Sequence, residues 1–397
     1  MNSLNQQLDL IRQSPTVAMA DRVAALKASG QKIIALQTGD PDFATPPEIL
    51  SVALAAMQSG QTHYAPSQGS LELRRAAALK LERDNGVFYD PEAEILVTHG
   101  GIHAFYTAMQ AILSPGDEVL VPDPTWATHA NLVTLLRGQV VRVPALPENG
   151  FLPTFADWEQ ALTTRTRAIV INYPSNPTGV YPSRDYLQKL QDFAAAHQLW
   201  VVSDEVYENL YYNEKPTCAA NFPGAKERTI LLHSLSKTYA MTGWRVGYLA
   251  APAAVIERAL KAGQISITCV APFIQKAAAF ALADPGIQLA AAEMRQAYAR
   301  RRETVLRLSH QLESERVLVT PPLGAFYFFL DVRPLKRPSL EICERLLEEE
   351  LVGLIPGSAF GEYGEGFLRL ATSSADADVE AGFRKIVAWA DRQEVLG

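Results

Sequence analysis

Cysteine is scarce in this chain. Its 397 residues hold three, Cys218, Cys269 and Cys343, odd in number and widely spaced, a pattern that indicates neither a disulfide framework nor a zinc site. They read as reduced filler residues. The seven histidines lack metal-ligand spacing of the His-Glu-x-x-His kind, so no metal is expected. Positive charge is also short: 36 Lys and Arg stand against 43 Asp and Glu, for a net charge of −7. A nucleic-acid partner needs a basic face that this balance does not advertise. No apolar run approaches the length of a membrane span, and Met1 to Ser14 is polar and amphipathic without an apolar signal core. The expectation is a cytoplasmic protein with neither nucleic acid nor membrane as partner.

Hydrophobic content of 48% and charged content of 20% are those of an ordinary globular protein, and the length predicts about two to three domains. Met1 to Gly30 reads as helical, Ile33 onward as a short strand broken by Gly39 and Pro41, and Pro46–Met57 and Gly69–Asp84 as helices, the latter stopped by Asn85-Gly86. From Ile95 the text alternates. Apolar, β-branched runs at Ile95–Thr98, Glu118–Val121, Val140–Val143, Ala168–Ile171, Leu199–Ser203, Thr229–His233 and Val246–Ala250 are separated by helical segments. This predicts an α/β fold with a seven-stranded, mainly parallel sheet covered by helices on both faces. The alternation ends at Asp284-Pro285-Gly286. A long amphipathic helix from Ile287 to Leu312 follows, then strands at Val317–Thr320, Phe326–Leu330 and Phe367–Ala371 and helices at Ser339–Glu349 and Val379–Arg392. These predict a smaller α+β domain.

Ligands of such sheets bind at the carboxyl ends of the strands, which directs attention to the residues just beyond each run. Ser234-Leu235-Ser236-Lys237 follows the sixth strand. A lysine crowded there by small residues loses water, and desolvation moves its pKa toward the neutral, nucleophilic amine that forms Schiff bases. Eight residues on, Arg245 offers a planar fork of donors suited to a dianion, to which the Ser234 and Ser236 hydroxyls add. An amine nucleophile beside an anion clamp suggests a phosphorylated aldehyde, and pyridoxal phosphate has that pair of handles. Gly100-Gly101-Ile102 opens a helix, whose free N–H groups make a second anion site. Asp204 ends the fifth strand, where a buried carboxylate needs a cation such as a pyridinium nitrogen; alone it reads as an ion pair or helix cap. Asn176, held between Pro174 and Pro177, has an amide fixed in one direction. Trp126, alone, reads as core and Tyr64 as a packing residue. Arg369, flanked by Leu368 and Leu370, calls for a buried or cleft anion.

Together these pieces resemble the class I, fold type I pyridoxal-phosphate aminotransferases, the superfamily that includes aspartate aminotransferase. The likeness runs from Gly39-Asp40-Pro41-Asp42-Phe43 to Phe367-Leu368-Arg369. It rests most on Ser-x-Ser-Lys followed by Gly-Trp-Arg-Val-Gly-Tyr, on Asn-Pro-Thr-Gly and on Asp-Glu-Val-Tyr. The resemblance implies pyridoxal 5'-phosphate as cofactor and Lys237 as the Schiff-base lysine and proton shuttle. It implies Asp204 as partner of the pyridine nitrogen, Asn176 and Tyr207 as holders of the phenolate oxygen, and Trp126 as the ring-stacking residue. Ser234, Ser236, Arg245 and the Gly101 and Ile102 amides match the phosphate cup. Arg369 matches the clamp for the substrate α-carboxylate, with Gly39 in the segment that closes over it. Tyr64 resembles the tyrosine that reaches a neighbouring subunit's phosphate, which implies a homodimer with shared sites. Residues 1–45 and 286–397 would then form the small domain and 46–285 the large cofactor-binding domain. The implied activity is ping-pong transfer of an amino group from an L-amino acid to a 2-oxo acid. Some aspartate-using relatives carry a lysine where this chain has Ile102, with His103 next, so an acidic, aromatic or small neutral substrate stays open. A carbon–sulfur lyase on the same scaffold is the alternative. A non-catalytic cofactor-sensing regulator, and a nicotinamide dehydrogenase lacking the full Gly-x-Gly-x-x-Gly, stand further off.

Overall fold

The computed structural model describes residues 4–11 and 15–394. Among these residues, seven strands form the large sheet: β1 (Ile95–Thr98), β2 (Glu118–Asp123), β3 (Gln139–Pro144), β4 (Thr166–Asn172), β5 (Trp200–Asp204), β6 (Thr229–Ser234) and β7 (Gly247–Ala250). Their order is β1-β7-β6-β5-β4-β2-β3. β7 runs antiparallel to both neighbours, and the other pairings are parallel. The alternation of side chains explains why the runs are apolar throughout. Val119, Val121, Ala168, Val170 and Val202 pack on one face with Ala104, Phe105, Ala108 and Met109 of helix Gly100–Ile112. Leu120, Ile169, Ile171 and Val201 pack on the other with Leu187, Leu190 and Phe193 of helix Arg184–Ala196. Both faces are covered, so period-two polarity is absent.

Register aligns the strand ends that matter. Asn172 pairs with Asp204, Asp204 with Leu232, and Ser234 with Gly247. The carboxyl ends of β4, β5 and β6 therefore open onto one edge.

A second core gathers Met19, Val23, Ile33 and Leu36 from the N-terminal region with residues from Val305 to Ala390. It holds β8 (Tyr327–Asp331), which pairs antiparallel with β9 (Phe367–Ala371), and helices Ser339–Glu349 and Asp376–Asp391. The 28-residue helix Pro285–Leu312 runs between the two regions. The strand expected at Val317–Thr320 does not form: Leu318 makes only an isolated bridge to Asp331. Pro321 and Pro322 follow, removing ladder donors and restricting Thr320. The N-terminal stretch expected as helical to Gly30 is a short 3-10 turn at Gln6–Leu10 and a helix at Pro15–Ala28; Met1–Ser3 and Arg12–Ser14 lie outside the described residues. Among the described residues no helix is long and apolar enough to cross a membrane.

Candidate active site

A cleft of about 280 Å³ opens where the strand ends meet the second core. Gly39, Gly101, Ile102, Trp126, Asn176, Asp204, Tyr207, Ser234, Ser236, Lys237, Arg245 and Arg369 all line it. Tyr64 does not; it stands 86% exposed on the surface. Thr16, Asn172, Val206, Thr242 and Tyr327 line the cleft as well, and none of these is legible in the sequence as a site residue.

Lys237 sits in the single turn Leu235–Thr238 that leaves β6. Its amine donates to the Gly39 carbonyl oxygen. Burial lowers its pKa to about 8; Asp40 opposes the shift, while the Arg369 and Arg245 cations add to it. An amine so placed is neutral in a useful fraction near neutral pH.

One end of the cleft is built for an anion. Helix Gly100–Ile112 starts there without a side-chain cap, which leaves first-turn N–H groups free at the positive end of the helix dipole. The Ser234 and Ser236 hydroxyls lie 2.9 Å apart. Arg245 donates to the Thr242 carbonyl oxygen at 2.8 Å and forms no salt bridge among the described residues. Gly100, at φ +74°, admits the guanidinium: a Cβ there would stand 2.9 Å from Arg245 Nη2.

At the back, Asp204 is 5% exposed. His129 Nε2 lies 3.0 Å from its Oδ2, and the Val206 N–H donates to Oδ1 at 3.3 Å. His129 is fully buried and its Nδ1 has no partner among the described residues. Trp126, at the start of helix Ala127–Leu135, packs edge-on to His129 with ring centroids 5.2 Å apart.

The opposite wall carries Arg369 from β9. It donates to Asn176 Oδ1 at 3.0 Å and to the Gln37 carbonyl oxygen at 2.6 Å, and lies over the rings of Tyr327 and Phe360. Its Nε has no acceptor, and burial lowers its pKa. The Asn176 backbone N–H in turn donates to Asn172 Oδ1 at 3.0 Å. Because Asn176 Oδ1 accepts from Arg369, its amide hydrogens are left for the cleft. The Tyr207 hydroxyl lies 2.7 Å from that of Tyr327; burial raises the Tyr207 pKa well above the usual phenol value, with Tyr327 adding to the shift. His103 faces elsewhere: its Nε2 meets Ser266 Oγ at 3.0 Å and burial holds its pKa down to about 4.

The donor set fits a phosphorylated pyridine aldehyde: an amine of lowered pKa, an anion cradle that a Cβ at position 100 would obstruct, and a buried carboxylate whose nearest ring partner has an orphaned nitrogen. Residues 31–386 match the family described as Aminotransferase class I and II, and the chain belongs to that family. It is a pyridoxal-phosphate-dependent aminotransferase. Among curated relatives it is 40% identical to an aspartate aminotransferase of Pyrococcus abyssi, over 95% of this chain and 96% of that one. It is 38% identical to aromatic-amino-acid aminotransferase 2 of Thermococcus litoralis, again over 95% and 96%. Of solved structures, the aspartate aminotransferase of Thermus thermophilus with maleate superposes with a TM-score of 0.93 at 35% identity, covering 98% of this chain and 100% of that one.

Proposed function

We propose that this aminotransferase moves the amino group of L-amino acids to 2-oxo acids in ping-pong order, with aspartate among its donors or with broad specificity. The observation that carries the reading is the set of cations in one cleft. Lys237, Arg245 and Arg369 have no salt-bridge partner among the described residues, an amine and two guanidiniums left for a carbonyl and two anions.

Bound pyridoxal phosphate supplies the carbonyl and an electron-accepting ring. Lys237 would hold the carbonyl through its amine and would carry the proton at the substrate α-carbon, as its lowered pKa allows. Asp204, its carboxylate fixed by His129, would keep a proton on the ring nitrogen. Tyr207 and Asn176 would donate to the phenolate oxygen, and Trp126 would stack on the ring. Ser234, Ser236, Arg245 and the Gly101 and Ile102 amides bind the phosphate. Arg369 binds the α-carboxylate through its fork, and the Gly39 segment shuts water out above it. The exposure of Tyr64 supports a homodimer in which that tyrosine completes the partner's site. Shared packing of residues 19–36 with the C-terminal core supports a division into 1–45 and 286–397 against 46–285. The cytoplasm is the proposed location.

The test is an absorption spectrum of the purified protein, repeated after adding single amino acids without any 2-oxo acid. Yellow protein that bleaches to the pyridoxamine form with some of them is the expected result, and the extent ranks the donors. Protein that stays colourless when pyridoxal phosphate is supplied overturns the reading.

A further inference from the structure

Tyr327 lines the cleft and touches both the carboxylate clamp Arg369 and Tyr207, one of the two residues assigned to the cofactor's phenolate oxygen. Its position follows from sheet register. Tyr327 opens β8 opposite Ala371, and Arg369 stands opposite Phe329, so Tyr327 and Arg369 are diagonal neighbours on one face of the pair, within reach of large side chains. The guanidinium carbon lies 4.6 Å from the ring centroid, a cation over an aromatic face. The hydroxyl at the far end of the same ring is 2.7 Å from the Tyr207 hydroxyl. Gly39 makes room for it: a Cβ there would stand 2.4 Å from the Tyr327 oxygen. That glycine's carbonyl is also the acceptor for Lys237.

Two hydroxyls in contact share one hydrogen, and one of them must accept. Among the described residues each has the other as its hydrogen-bond partner. If Tyr207 donated to Tyr327, its hydrogen would be turned away from the cleft. If Tyr327 donates, the Tyr207 hydrogen is free and its oxygen, already accepting, becomes a stronger donor through hydrogen-bond cooperativity.

We infer that Tyr327 is a positioning residue: it donates to the Tyr207 oxygen and turns the Tyr207 hydrogen into the cleft. The inference rests on the aminotransferase reading of the cleft. It adds to that reading a residue that sequence patterns present as one more aromatic of a buried strand.

Tyr327→Phe removes the hydroxyl and keeps the ring under Arg369. The measurement is the pH midpoint at which the protein-bound cofactor changes colour, for wild type, Tyr327→Phe, Tyr207→Phe and the double variant. Tyr327→Phe should move the midpoint in the same direction as Tyr207→Phe by a smaller amount, about 0.3–0.5 pH unit. Added to Tyr207→Phe it should move it no further. Turnover should fall about 3–10-fold with KM for the amino acid nearly unchanged. A midpoint that stays put in Tyr327→Phe, or that shifts equally with and without Tyr207, overturns the inference while leaving the wider function intact. Wild-type protein that takes up no cofactor overturns both.

Discussion

The segment Asp204–Glu208 carries three buried carboxylates. Glu205 accepts from Ser203 Oγ at 3.0 Å and the Ala219 N–H at 2.9 Å, and the molecule treats the other two, Asp204 and Glu208, in opposite ways. Glu208 is met on every side. Lys80 donates to it, Asn85 Nδ2 donates at 2.6 Å, and His233 Nδ1 lies 3.2 Å away. Lys80 also donates to Asn85 Oδ1 at 2.8 Å, a geometry set where helix Leu71–Lys80 widens into the π turn Leu81–Asn85. Burial pushes the Glu208 carboxyl up, yet Lys80 and His233 together hold it well below the usual range. Glu205, Glu208 and His233 are close enough to hold a metal ion, but the Lys80 ammonium already supplies the cation. Asp204, four residues earlier, has no lysine or arginine in contact among the described residues; its ring partner is His129. Two buried arginines repeat the contrast. Arg301 is saturated by a bidentate pair with Asp42 at 2.8 Å and by Asp376 at 2.7 Å, whereas Arg369 meets only neutral oxygens. Burial of charge therefore does not mark the site. Burial without an internal counter-charge does so only where the group also faces the cleft, as Asp204 and Arg369 do and Glu205 does not, because such a group is costly unless a ligand completes it.

The sharpest way to break this comparison is to remove one lysine from each region. Lys237→Ala should lower steady-state turnover by at least ~10³-fold, since on the proposed assignment it takes away both nucleophile and proton carrier, while its thermal unfolding and its noncovalent uptake of cofactor persist. Lys80→Met should do the reverse. It leaves the buried Glu208 without its main cation, costs about 3–5 kcal/mol of stability, and spares turnover per folded molecule. Normal turnover by Lys237→Ala, or full stability of Lys80→Met, would show that the two regions are not distinct in kind.

Much of this contrast is legible in the sequence on one side only. Lys237, Asp204 and Asn176 fall just past β-branched runs, where the fold presents ligand contacts, so their types and positions point to chemistry. The other side depends on meetings that no local pattern reports. Lys80 and Glu208 are 128 positions apart, and each is an ordinary charge within its own segment. His233 reads as one residue of a strand. Tyr327 hides in Phe326-Tyr327-Phe328-Phe329-Leu330, where unbroken aromatic content conceals which face each ring takes. His129 is a lone histidine on a helix. The seven strands were within reach because full burial makes each a short apolar run, while Val317–Thr320 misled because its β-branched content outweighed the two prolines behind it.

The arginines give a second, smaller test. Arg369→Ala should raise KM for amino acids generally, on the order of 100-fold, because the proposed clamp for the α-carboxylate is a buried bidentate partner that the variant lacks. The check is KM across acidic, aromatic and small neutral donors. An effect confined to acidic donors would mean that Arg369 reads the side chain instead. Arg301→Met should leave those KM values within about threefold and lower the melting temperature, because its carboxylate partners belong to the protein.

The smallest effect concerns pH. The Lys237 amine attacks only when neutral. With its pKa lowered to about 8, roughly one molecule in ten is neutral at pH 7 and nearly all are at pH 9, whereas a solvated lysine near 10.4 stays mostly charged throughout. The second-order rate of colour formation, on mixing cofactor-free protein with pyridoxal phosphate, should rise about tenfold from pH 7 to 9 and then level off. The stability linkage has the same sign. A lysine that holds its proton less tightly when folded leaves the unfolded chain with more bound protons between about pH 8 and 10.4, so this group's contribution to stability rises with pH in that window. The wild-type minus Lys237→Ala difference in cofactor-free stability isolates it from the buried tyrosines, which titrate in both proteins. A capture rate still climbing tenfold per unit beyond pH 9 would place Lys237 with the solvated lysines and remove the cleft's claim to an unmatched amine.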